Sequence, residues 1–91
     1  MPHTNRDRDK LKVRLARIRG QIDAVERALD DHQDCGKVLQ QIAAVRGAVN
    51  GLLGEVLQGH VREHVAGPRL SAADRDNAAD ELIEVLRRYF R

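Results

Sequence analysis

The chain is short of almost everything that a catalytic or β-rich protein would use. It has no tryptophan, and its only aromatic residues are Tyr89 and Phe90, side by side near the end. A core must therefore come from Leu, Ile, Val and Ala, a mixture that favours helices over a β-sandwich or barrel. The single cysteine, Cys35, cannot form an internal disulfide and fits a reducing compartment. No run of about 18 apolar residues and no signal-peptide pattern occurs, so the sequence predicts a soluble, cytoplasmic protein with no membrane partner. There is no Walker loop, no G-x-G-x-x-G and no Ser/His/Asp constellation, and no organic cofactor is expected.

Neither sign of charge dominates: 16 Lys and Arg stand against 14 Asp and Glu. The distribution is uneven, however. Residues 1–20 hold seven basic side chains and two acids, whereas residues 21–35 hold five acids and one arginine. A local basic excess of this kind points to a polyanion, nucleic acid being the usual one. The 91 residues form a single domain, 1–91, that would be marginal as an isolated three-helix monomer, so oligomerisation is expected.

From about Arg6 to Asp30, the residues Leu11, Leu15, Ile18, Ile22, Val25 and Leu29 recur at alternating steps of four and three, the seam of an amphipathic helix. Arg6, Lys10, Arg14, Arg17 and Gln21 form a second line displaced from that seam. It contains no acid and would lie in solvent as a basic stripe. No helix-turn-helix or zinc-finger spacing accompanies it, so DNA binding would rest on phosphate contacts and shape, with strong salt dependence. The polar run Asp30-Asp31-His32-Gln33-Asp34 ends the seam, and Asp34 is placed to cap the next helix.

That next helix is predicted to run unbroken from Cys35 to His64. Gly47, Gly51, Gly54 and Gly59 oppose it, each costing about 1 kcal/mol relative to Ala, but the apolar period passes through them without changing phase. Ala66-Gly67-Pro68 stops it. Ser71 through Asp74 then resembles a capping box with Asp in place of Glu, opening a last helix over about Ala72 to Tyr89.

The long helix separates two half-sites. At about 1.5 Å rise per residue, Cys35 and His60 lie roughly 35 to 40 Å apart and cannot share a ligand within one molecule. Antiparallel pairing of two copies would bring Cys35 of one beside His60 and His64 of the other. The two histidines, four residues apart, project from one helix face and can chelate one ion, and His3 is a fourth candidate from the N-terminal arm. A set rich in nitrogen with one sulfur suits nickel, cobalt or zinc more than Cu(I). Residues 60–64 also match the H-x-x-E-H pattern of inverzincin proteases, but those enzymes need a further ligand and a cleft from a much larger body. The sequence is therefore not read as an enzyme.

The run Arg17-Ile-Arg-Gly-Gln-Ile22, then Cys35, then Val38-Leu-Gln-Gln-Ile-Ala-Ala-Val-Arg-Gly-Ala-Val-Asn-Gly-Leu52, then His60 and His64, closely resembles the CsoR/RcnR/FrmR family of bacterial transcriptional repressors. The resemblance covers essentially the whole chain. It implies an all-α, three-helix protomer with a long second helix, an antiparallel homodimer, a homotetramer built as a dimer of dimers, and operator DNA released when an inducer fills an intersubunit site. It also implies Arg14 and Arg17 as DNA contacts, with Lys10 and Arg46 beside them.

Within that family, the resemblance offers two inducers. The nickel and cobalt branch uses His3, Cys35, His60 and His64, all present here, and the same donors could take Zn(II) in vitro. The formaldehyde branch uses Pro2, as an N-terminus after removal of Met1, together with Cys35. The Cu(I) branch needs a cysteine where His64 stands. His64 and the His3-Thr4 start favour nickel or cobalt, and Pro2 keeps formaldehyde as the alternative. A metal-storage or scaffold protein is the lesser one.

Overall fold

A computed structural model describes residues 7–90 of the chain. Three α-helices account for nearly all of them, and no strand occurs among the described residues: α1 spans Arg8–Asp30, α2 Cys35–His60 and α3 Ala72–Tyr89, with a π-helical turn, Val61–Val65, between α2 and the loop to α3. None of these helices is long and apolar enough to cross a membrane. The chain divides into two compact units. One is Asp7–Leu53, holding α1 and the first part of α2; the other, over residues 54–90, holds the end of α2, the π turn and α3.

In the first unit, the predicted seam separates into two lines. Ile18 is buried and Leu11 and Val25 are half-buried, whereas Leu15, Ile22 and Leu29 stay exposed, at 39%, 50% and 60%. Each line repeats every seven residues, so the alternating steps of four and three interleave a covered row with an open one. α2 behaves likewise: Val38, Val45 and Leu52 are half-buried, while Leu39, Ile42 and Val49 are exposed. The apolar pattern is thus about twice as wide as one chain uses.

The ends of α1 and α2 explain the turn between them. At the end of α1, the Gln33 amide donates to Ala28 O at 2.9 Å and the His32 amide to Leu29 O at 3.2 Å. These are the paired bonds of a Schellman motif, and they require a left-handed residue in the middle. His32 takes that place with φ 55°. Asp34 then caps α2: its Oδ1 accepts from the Lys37 amide at 2.9 Å, as the sequence predicts. The glycines do not interrupt α2, because neither Gly47 nor Gly54 has any neighbour that a side chain would meet, so their cost is propensity alone. Gly51 is different. The Arg14 guanidinium lies over it and donates from Nη1 to its carbonyl at 3.1 Å.

The helix runs unbroken through His64 as expected, but its winding is not α throughout. After His60 the ladder changes, and the Ala66 amide reaches back five residues to Val61 O at 2.8 Å rather than four to Arg62. The first helix also begins at Arg8, slightly later than Arg6. Gly67 ends the helix for a reason other than a left-handed backbone. No glycine has positive φ, yet Gly67 is buried, and a Cβ there would collide with the Glu63 carbonyl oxygen. In the second unit Ser71 caps α3, accepting from the Asp74 amide at 3.0 Å, and α3 packs against the π turn.

Candidate metal centre and nucleic-acid interface

The histidine end of α2 is built within one chain. His60 is the last residue of the α-helix and His64 lies in the π turn, both half-buried. Their ring centroids are 5.2 Å apart with the planes inclined at 51°. His60 Nε2 lies 2.9 Å from Ala78 O on α3. A carbonyl only accepts, so Nε2 carries the proton and the neutral tautomer has its lone pair on Nδ1. This is the arrangement common in metal-binding histidines, where one ring nitrogen is anchored by a carbonyl and the other is directed to the ion. The two rings border a pocket of about 430 Å³, lined also by Leu70 and by the face of α3 formed by Asp74, Asn77, Ala78 and Glu81.

The thiol end is different. Cys35 is the first residue of α2, free and exposed. Among the described residues, no group of three or more His, Cys, Asp and Glu side chains is placed to hold a metal ion. The donors that are present nevertheless fit one in chemical type: two imidazoles side by side, one of them fixed in its tautomer, and a thiol accessible to another molecule. His3 and Pro2, expected to complete the metal set or the formaldehyde cross-link, lie outside the described residues.

The described part of the basic stripe is exposed as the sequence predicts, and Arg6 lies outside the described residues. Lys10, Arg14 and Arg17 are exposed on α1, and Arg46 is exposed on α2. The bond from Arg14 to Gly51 O joins that stripe to α2 within the first unit.

The sequence does not point to Ala78 or to the acidic face of α3 as part of the site, and it marks Gly67 only as a helix stop. Asp74, Asn77, Ala78 and Glu81 recur at three- and four-residue steps, which is a signal for one helix face. Nothing in that spacing says that the face meets His60. The lining by Leu70 has no sequence signal at all.

The sequence profile of the metal-sensitive transcriptional repressor family matches residues 7–88. The chain is 53% identical to the protein of the bioA 5′ region of Serratia marcescens, over the full length of both. It is 46% identical to the transcriptional repressor RcnR of Salmonella typhimurium, again over the full length of both. Among solved structures, it is similar to a Glu-to-His variant of the Formaldehyde-Responsive Regulator FrmR from Salmonella enterica serovar Typhimurium, with TM-score 0.87 and 41% identity, covering 97% of this chain and 99% of that one. That family is one of repressors and not of enzymes, and operator DNA is the partner that repression implies. With helices, caps and paired histidines already in view, these matches fix the family: the chain belongs to the metal-sensitive transcriptional repressors.

Proposed function

We propose that this protein is a cytoplasmic repressor that leaves its operator when Ni(II) or Co(II) binds between two copies of the chain. The observation that carries the reading is the contrast at the two ends of α2: His60 and His64 are paired in one chain, and Cys35 is presented alone at the other end. Antiparallel pairing supplies Cys35 from one copy to His60 and His64 of the next, with His3 as a further donor. The open apolar lines, Leu15/Ile22/Leu29 and Leu39/Ile42/Val49, support such a partner. Covering each half-exposed side chain contributes about 1 kcal/mol, half the value for complete burial. The homodimer then pairs into a homotetramer, and residues 1–91 act as one DNA-binding and inducer-sensing domain.

When bound, the metal supplies a charge that imidazole and thiolate donors from two copies share. The chain's own residues do the rest. His60 holds its ring against Ala78 O, which leaves Nδ1 as the nitrogen that would hold the metal, and His64 would supply the second imidazole. Lys10, Arg14, Arg17 and Arg46 bind phosphate, and Arg14 is joined to α2 through Gly51. A coupling of about 1 to 3 kcal/mol between the two sites lowers DNA affinity roughly 5- to 150-fold. Because the ligands must be deprotonated, induction weakens in acid.

The test is fluorescence anisotropy on the protein's own promoter, with Ni(II), Co(II), Zn(II), Cu(I) and formaldehyde added in turn. Nickel or cobalt releases the DNA. Replacing both Arg14 and Arg17 with Ala abolishes operator binding and leaves metal affinity intact; unchanged DNA affinity would remove α1 from the interface.

A second reading is supported by the exposed Cys35 thiol and the likeness to a formaldehyde-responsive regulator. The Pro2 amine and the Cys35 thiol would each form one bond to the formaldehyde carbon, giving an N–CH2–S bridge and one water. Release by formaldehyde alone, unaffected by His64→Ala, would establish it. Metal binding without any change in DNA affinity would leave a storage or scaffold protein.

A further inference from the structure

Two histidines four residues apart are common on helices, and most such pairs hold nothing. Here the pair straddles a change of winding. His60 ends the α-helix, and His64 lies inside the π turn Val61–Val65. In an α-helix, residues four apart are offset by about 40° around the axis, because 3.6 residues complete a turn. A π turn takes up an extra residue per hydrogen-bonded ring, so His64 falls short of a full turn from His60 instead of past it, and its side chain leaves the helix on the other side of His60. The rings sit 5.2 Å apart, beside a pocket that both of them line.

π turns are rare and need something to hold them. Two contacts do so here. Ala66 donates to Val61 O at 2.8 Å, the five-residue bond that defines the turn. Gly67 then folds onto the Glu63 carbonyl so closely that even a methyl group would overlap the oxygen. A Cβ at that position would also lie 3.5 Å from the Leu70 side chain, which lines the histidine pocket. Arg75 adds a longer contact, from Nη2 to Gly67 O at 3.4 Å. Only glycine permits this approach, and Glu63 is the residue immediately before His64.

We propose that Gly67 is a positioning residue for the metal centre: by lying on the Glu63 carbonyl it keeps the last turn π-wound, and that winding sets His64 beside His60. This rests on the reading of His60 and His64 as ligands. A side chain at residue 67 displaces the Glu63 carbonyl, the turn unwinds toward α geometry, and His64 rotates away while His60 stays anchored to Ala78 O. The two imidazoles then no longer face the same part of the pocket.

The experiment is Co(II) titration of full-length Gly67→Ala, followed by its visible ligand-field bands and by the thiolate-to-cobalt charge-transfer band. Affinity falls about 10- to 100-fold, the range for losing a group that orients a ligand. The ligand-field bands change and the charge-transfer band from Cys35 persists. Metal-free operator affinity and helical content match the parent. Parental affinity and spectrum in Gly67→Ala would overturn the proposal. Parental cobalt affinity in His64→Ala would instead overturn the ligand reading beneath it. If Gly67→Ala does not assemble, the parent protein loaded with Zn(II) decides by NMR. A scalar coupling across the hydrogen bond from the Ala66 amide to the Val61 carbonyl supports the π turn in the metal-bound state, and one to the Arg62 carbonyl overturns it.

Discussion

The two ends of α2 are built on opposite plans. At its C-terminal end, the winding changes, Gly67 presses on the last turn, a carbonyl from α3 fixes one imidazole, and a pocket is already formed. At its N-terminal end there is a capped first turn and a bare, exposed thiol. One end is prepared by its own chain, and the other is presented for someone else to use. For the inducer site proposed between copies, this division means that the histidine half is oriented before pairing and that pairing delivers the sulfur.

The comparison is broken most severely at the bare end. Cys35→Ala removes the thiol that end contributes, so operator binding remains but neither cobalt nor formaldehyde releases the DNA in the anisotropy titration. Residual induction by cobalt would mean that the histidine end suffices. His64→Ala is the next largest change. It removes a ligand outright, so cobalt affinity falls by at least the about 10- to 100-fold expected for an orienting neighbour, measured by competition with a chelator. Formaldehyde response survives it.

Smaller effects compare how the helices at the two ends are held. Asp34 caps α2 beside Cys35, and Ser71 caps α3 beside the histidine pocket. Replacing either with Ala costs about 1 kcal/mol, read as a lower midpoint in urea denaturation of the assembled protein. Their functional consequences should differ. Ser71→Ala loosens the helix whose Ala78 carbonyl anchors His60 and so weakens cobalt binding slightly. Asp34→Ala leaves the histidine end untouched.

Local chemistry was legible in the sequence, and chemistry made by distant contact was not. Asp34 and Ser71 could be read as caps because a cap is decided within four residues. The three helices followed from apolar period, and the basic stripe from charge on one line of α1. The π turn escaped because Val61 and Val65 suit either winding, and no side chain announces a five-residue bond. Gly67 was visible as a stop signal, but its real constraint is the approach of Glu63's backbone, which spacing does not encode. The anchoring of His60 uses a backbone carbonyl 18 residues away, and a carbonyl has no letter in the sequence. The division of the α1 seam into covered and open rows also needs coordinates, because Ile18 and Ile22 are the same residue in the same pattern.

His32 gives the gentlest test of the contrast between the ends. It is the one of the four histidines not assigned to the proposed site, three residues before Cys35, and its proximity invites a role as a donor at the bare end. Its geometry has another explanation. It occupies the left-handed position of the Schellman motif that closes α1, at φ 55°, where glycine is the usual residue and an L side chain is strained by about 1 to 2 kcal/mol. Glycine relieves that strain but has more backbone freedom to lose on folding, worth about 0.5 to 1 kcal/mol. The difference predicts that His32→Gly raises stability by up to about 1 kcal/mol, visible as a small upward shift in the unfolding midpoint. Cobalt affinity and operator release should be unchanged. A stabilised variant with normal induction confirms that Cys35 stands alone at its end of α2, whereas a loss of cobalt affinity would give that end a second donor and undo the contrast.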